Sequence, residues 1–152
     1  MPRPATPARL RAADVAGWLL KSTRPPAAVD PGWLPGTTRE LARCVRRSYR
    51  LDLVAAGQPV LLWVSGRVTP GVHAIGRVTG PVGETTDGPV LPGRLLRLDA
   101  PVGRAELLAD PAFADAEVLR MPAGSNPSWL SATQLSAVLA RVEPEELGRW
   151  LP

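Results

Sequence analysis

The 152-residue chain contains one cysteine, one histidine and one lysine. A lone Cys44 excludes an internal disulfide framework and fits a reducing compartment. One His and one Cys cannot supply the usual ligand set of a zinc site, and nothing in the chain calls for a cofactor. No stretch approaches ~20 uninterrupted apolar residues, so no membrane-spanning helix is expected. Met1 to Thr6 carry Pro and Arg but no apolar core, so no secretory signal is expected and a cytoplasmic location follows. Tyr and Phe occur once each. Five Trp stand against that scarcity, and a Trp ring offers a broad face for either a core or a ligand. The 18 Pro and 14 Gly predict many turns and few long helices.

The length fits one domain. We expect a loose Pro-, Ala- and Arg-rich segment over 1–12 and a single domain over 13–152. The Arg, Ala, Pro and Gly bias is that of a GC-rich, bacterial coding sequence, and it makes Lys21 conspicuous. The net charge of +4 is uneven. Residues 1–50 hold ten basic and three acidic residues, and residues 51–152 hold eight basic and eleven acidic ones. That asymmetry points to one polyanion-facing side.

Strands are expected at Gly17 to Lys21, Val60 to Val64 and Val72 to Val78, where β-formers cluster between turn residues. A further strand is expected over Val90 to Leu98, interrupted at Pro92-Gly93, and a short one over Glu117 to Arg120. Thr37 followed three residues later by Glu40 reads as a capping box opening a helix to about Val54. Short helices are expected over Val102 to Ala109 and Pro144 to Trp150. Ser131 with Gln134 repeats the capping pattern and opens a helix to about Val142.

On the helix expected after Thr37, Arg39, Arg43, Arg46, Arg47 and Arg50 recur at spacings of three and four. They would form one face, with Leu41, Cys44, Val45 and Ser48 opposite. Only Glu40 lies nearby in sequence to relieve their repulsion, and a phosphate backbone would relieve it better. A solvated basic face is the plainer alternative.

Candidate ligand contacts come from three places. Trp18, Lys21 and Ser22 stand in a strand whose Lys-Ser end can present an ammonium and a hydroxyl. Trp33 lies in a Pro/Gly loop, where side chains often carry function. Ser125 and Asn126 stand in a polar loop, and the Asn amide both donates and accepts hydrogen bonds. Burial in the core, or a simple Asn-Pro turn, is the alternative for each. Trp63 is mid-strand and expected in the core. His73 has no Ser, Asp or Cys at a catalytic spacing and is expected to be structural.

Several pieces, in order, resemble the EVE domain family of the PUA-like superfamily. GWLLKS at 17–22 is similar to its opening strand, and VLLWVSG at 60–66 with GVHAIGRVTGPV at 71–82 to its central hairpin. PVGRAELLADPAF at 101–113 and EVLRMPAGSNPSWLSATQL at 117–135 resemble its closing half. The resemblance implies an α/β (α+β) fold: a curved, mostly antiparallel sheet or pseudo-barrel flanked by helices. It also implies a base-holding pocket, with Lys21, Ser22 and Thr23 at the entrance. Trp33 would be a cage wall followed by Leu34, with Ser125 and Asn126 at the far rim. Trp63 or Trp129 would supply a second wall. The family often continues Lys-Ser with Glu-Pro, where this chain has Thr23-Arg24-Pro25.

The expected function is therefore a binding module for DNA or RNA carrying a modified, flipped base, not an enzyme. The alternatives are a small-ligand or protein-interaction domain and, behind it, an enzyme of nucleotide or RNA metabolism. For the last, the candidate acids are Asp30 and Glu84, each alone in a loop.

Overall fold

The structure is a computed structural model and describes residues 9–150. Its frame is one mixed, seven-stranded sheet with short helices, an α+β fold. The strands are β1 (Gly17–Ser22), β2 (Thr38–Cys44), β3 (Pro59–Val64), β4 (Gly71–Val78), β5 (Gly83–Thr85), β6 (Gly88–Gly103) and β7 (Ser128–Leu130). They run in the order β2-β6-β4-β3-β1-β7, with β5 pairing β6. Only β1 and β3 run parallel, Trp18 opposite Val60 and Ser22 opposite Val64; every other pair is antiparallel. The helices are α1 (Pro26–Val29), α2 (Arg104–Leu108), α3 (Glu117–Arg120), α4 (Ala132–Leu139) and α5 (Pro144–Trp150).

The central strands are buried on both faces, so apolar residues pointing in opposite directions feed two cores. Leu19, Leu61, Trp63, Ile75, Leu96 and Leu98 pack with Leu107, Phe113, Leu135 and Val138, on the face that α2 and α4 cover. Trp18, Leu20, Leu62, Leu91 and Leu95 face the other way and meet Trp33, Val45 and Val54. β4 and β6 approach so closely at Gly76 that a Cβ there would lie 1.8 Å from the Arg94 carbonyl oxygen.

The expected strands β1, β3 and β4 and the helices α2, α4 and α5 are present. α4 opens as expected, the Ser131 hydroxyl accepting from the Gln134 N–H and the Gln134 side chain accepting from the Ser131 N–H. Three expectations are corrected. Residues 37–54 form no α-helix: 38–44 are strand β2, and Tyr49–Leu53 is a 3-10 turn capped by Ser48. Seven registered pairs with β6 hold β2 extended, among them Glu40 opposite Arg94, whose side chains meet at 3.0 Å. Glu117–Arg120 is helix, not strand. β6 runs unbroken through Pro92, which lies past the last β4 pair, Val78 with Gly93, where a missing N–H costs no ladder bond.

Of the segment expected to be loose, residues 1–8 lie outside the described residues. Residues 9–12 dock: the Arg9 guanidinium lies 4.0 Å from the Tyr49 ring centroid, and the Leu10 N–H donates to the Tyr49 hydroxyl. Among the described residues no helix is long and apolar enough to cross a membrane.

Candidate functional site

β7 pairs β1 only from Gly17 to Leu19, so the last residues of β1 lack a partner on that side. Asn126 fills the place. Its side-chain oxygen accepts from the Lys21 backbone N–H at 3.1 Å, and its amide nitrogen reaches the Cys44 carbonyl of β2 at 3.5 Å. Its own carbonyl accepts from the Arg46 N–H at 2.7 Å. One residue thereby ties β1 to β2, strands far apart in the sheet order.

A cavity of about 420 Å³ opens beside this seam, lined by Lys21, Ser22, Thr23, Arg24, Ala28, Val29 and Arg43. Strand alternation puts Arg39, Leu41 and Arg43 on one face of β2, and Arg43 at its end reaches the cavity. The Ser22 hydroxyl donates to the Arg24 carbonyl and accepts from the Arg24 N–H, folding the chain so that β1 turns sharply into α1. The Lys21 ammonium donates to the Met121 and Pro122 carbonyls. Its burial pulls its pKa below the ordinary lysine value, with Arg46 and Arg50 pushing the same way and Glu117 opposing them.

The loop that carries Asn126 rests on a buried ion pair. Arg50 and Glu117 meet through two bonds, 2.8 and 2.7 Å, with side chains only 14% and 10% exposed. Ser128 donates to the same carboxylate at 2.8 Å. Desolvation raises the Glu117 pKa, but the bonds from Arg50 and Ser128 and the charges of Arg50 and Lys21 outweigh it. The carboxyl stays below the ordinary glutamate value.

The five arginines expected on one helical face are divided by the structure. Arg39 pairs with Asp30 and donates to the Gly32 carbonyl, Arg47 pairs with Glu84, and Arg50 is locked to Glu117. Glu84 and Glu117 come from distant segments, which local sequence could not show, whereas Asp30 lies 9 positions before Arg39. Arg43 and Arg46 have no acidic partner among the described residues, and Arg46 is exposed.

The expected aromatic wall is not at the cavity. Trp33 is 1% exposed, packs in the core beside Trp18, and donates its indole N–H to the Thr37 carbonyl at 2.8 Å. A ring so buried has no free face for a base. Trp18 is fully buried and donates to Gln58; Trp63 stacks on Phe113 in the opposite core, ring centroids 6.3 Å apart. Leu34 is 63% exposed and away from the lining, and Ser125 is half-buried next to Asn126. The loop placement of Trp33 misled because its neighbouring turn folds the ring inward.

Arg24, Ala28 and Val29 are lining residues that sequence reasoning passed over. Arg24 could have been found, as a cation two positions after the Lys-Ser strand end; Ala28 and Val29 carried no signal. The His73 Nε2–H donates to the Thr69 carbonyl at 2.6 Å, and burial lowers its pKa, with Arg97 adding to that and the Thr69 bond opposing it.

No family model matches the chain, and no curated protein sequence matches it. Solved structures do share its fold. A hypothetical protein from Leishmania major is 18% identical and superposes with a TM-score of 0.60 over 91% of this chain and 99% of that one. A protein from Rhodopseudomonas palustris is 17% identical, with a TM-score of 0.62 over 83% and 92%. The human THYN1 protein, solved in complex with 5-methylcytosine-containing DNA, is 15% identical, with a TM-score of 0.50 over 84% of this chain and 99% of that one.

Proposed function

We propose that this chain is a nucleic-acid-binding module that takes one base into the seam cavity and holds the flanking phosphates on Arg24, Arg43 and Arg46. The observation that carries the reading is the lining itself: one ammonium, two guanidiniums, two hydroxyls and no carboxylate. Guanidinium is the side chain best matched to phosphate. The fold shared with the THYN1 protein supports it, since that protein was solved with DNA bearing a methylated base. The resemblance of Lys21-Ser22 and the central hairpin to EVE domains points the same way. DNA is the favoured partner for the same reason.

Extruding a base costs a few kcal/mol. No aromatic side chain lines the cavity to repay that by stacking. Selectivity therefore rests on polar contacts to the base edge and on the apolar wall of Ala28 and Val29. A methyl group packed against that wall contributes about 0.8 kcal/mol, which favours a modified base. We read the site as a binder rather than a catalyst, because Lys21 already donates to two carbonyls and no acid stands beside it in the lining.

Fluorescence anisotropy with labelled oligonucleotides tests this. Single- and double-stranded DNA and RNA would carry one unmodified cytosine, 5-methylcytosine, 5-hydroxymethylcytosine or 6-methyladenine. One modified base is expected to bind tightest, and Val29→Asn to erase that preference. The R43Q/R46Q variant is expected to weaken all oligonucleotides alike and to lower the salt slope by about two, near 0.9 for each phosphate no longer neutralised. Binding that survives R43Q/R46Q unchanged, or none at low salt, overturns the proposal.

A further inference from the structure

A second and larger cavity, of about 610 Å³, opens on the other face of β2. Thr38 and Glu40 line it from β2, whereas Arg43, of opposite parity on the same strand, points to the seam cavity. The remaining lining comes from Ile75, Gly76, Arg77 and Thr79 of β4 and the turn after it, from Arg94 and Leu96 of β6, and from Arg149 and Trp150 at the end of α5. Nothing in the seam site uses these residues.

Three guanidiniums and one carboxylate line this space. Glu40 answers Arg94 at 3.0 Å, but both side chains are largely exposed and the pair is weak. Arg77 and Arg149 have no acidic partner among the described residues. Arg77 donates to the Gly57 carbonyl and Arg149 to the Gly36 carbonyl. The Arg77 guanidinium also lies 4.5 Å from the Trp150 ring centroid, and the Trp150 indole donates to the Gly76 carbonyl at 2.9 Å. These contacts hold the cations and the indole in place before any ligand arrives, which lowers the entropy cost of binding. The volume falls in the range of small-molecule sites.

The geometry points to a second ligand site, for a phosphorylated small molecule with a planar body, the nucleoside monophosphate class. Arg77, Arg94 and Arg149 take the phosphate, and the Trp150 indole takes the body. The hydroxyls of Thr38 and Thr79 supply neutral hydrogen bonds beside the charges. The site is separate from the seam cavity and does not depend on what that cavity binds.

Titration of the ¹⁵N-labelled protein with adenosine and guanosine monophosphate, followed by NMR, tests the assignment. Inorganic phosphate and the nucleosides serve as separate probes. The monophosphates are expected to shift the amides of Gly76, Arg77, Thr79 and Arg94 and the Trp150 indole N–H. Phosphate or nucleoside alone is expected to bind at least about tenfold more weakly, because each offers half the contacts. Arg149→Gln, an exposed change with one backbone bond at stake, is expected to weaken binding about tenfold, and R77Q/R149Q further. R43Q/R46Q is expected to leave it within about twofold, since additivity holds for distant sites. A thermal melt confirms that R77Q/R149Q is folded. Absence of shifts at about 10 mM monophosphate, well above a ~1 mM Kd, overturns the proposal. So does binding that R149Q and R77Q/R149Q leave unchanged, binding that R43Q/R46Q abolishes, or a site that takes oligonucleotides but no monophosphate.

Discussion

Glu117→Gln is expected to destabilise the protein by about 3 kcal/mol. The substitution keeps the shape of the side chain but removes its charge, and leaves the Arg50 guanidinium buried at 14% exposure with no counter-ion. Breaking a buried pair from one side costs ~3–5 kcal/mol. The residual exposure of both partners, and the acceptor that Gln still offers to Ser128, put this case at the low end. At about 2–4 °C per kcal/mol for a chain of this size, Tm falls by about 6–12 °C. R50M/E117L replaces both charges with apolar groups and is expected to stay within about 1 kcal/mol of wild type, because the desolvation penalty goes with the pair. Circular dichroism melts of wild type, R50M, E117L and R50M/E117L close a thermodynamic cycle, with E117Q melted alongside. A loss below about 1 kcal/mol in E117Q would show that solvent screens the pair, and would refute the claim that it anchors the Asn126 loop.

Three other outcomes follow from the same geometry. The Glu117 pKa is lower folded than unfolded, so its contribution is complete above about pH 4.5 and is lost as pH falls through the folded value; E117Q should therefore flatten the acid limb of a stability-versus-pH curve, which chemical denaturation at stepped pH would reveal. Asn126→Ala orphans the Lys21 N–H and should cost about 1–3 kcal/mol while accelerating hydrogen exchange at that amide; an unchanged exchange rate counts against the bridge. Trp33→Ala opens a core void and should cost about 3–5 kcal/mol, with the base preference of whatever remains folded intact; loss of preference at full stability would return Trp33 to the site.

What was legible in the sequence was whatever a short window contains. Val60 to Val64 and Val72 to Val78 are β-former runs bounded by turns, and both are strands. Ser131 and Gln134 are close enough to cap each other, and α4 begins there. Thr37 to Arg50 failed because its arginine spacing satisfies two periods. Arg39, Leu41 and Arg43 alternate as well as they spiral, and pairing with β6, far later in the chain, decides for the strand. Lys21, Ser22 and Thr23 do stand together at a cavity, with Asn126 behind them, since a strand end and its following turn are local. The partners of Arg47 and Arg50, and the burial of Trp33, depend on segments that meet only in three dimensions.

The bond from Asn126 to Lys21 joins residues 105 positions apart. β3, β4, β5 and β6 follow one another along the chain and can zip locally, whereas β1 must wait for β3 to offer a parallel edge and for β7 to be reached at all. Loop closure of that length delays pairing, because its entropy must be surrendered before the contact repays it. Pairing across the seam therefore carries a large loop-closure cost. A ligand that grips both sides of it acts as a clasp, and protection from proteolysis between β1 and β2 would report occupancy without any label on the ligand.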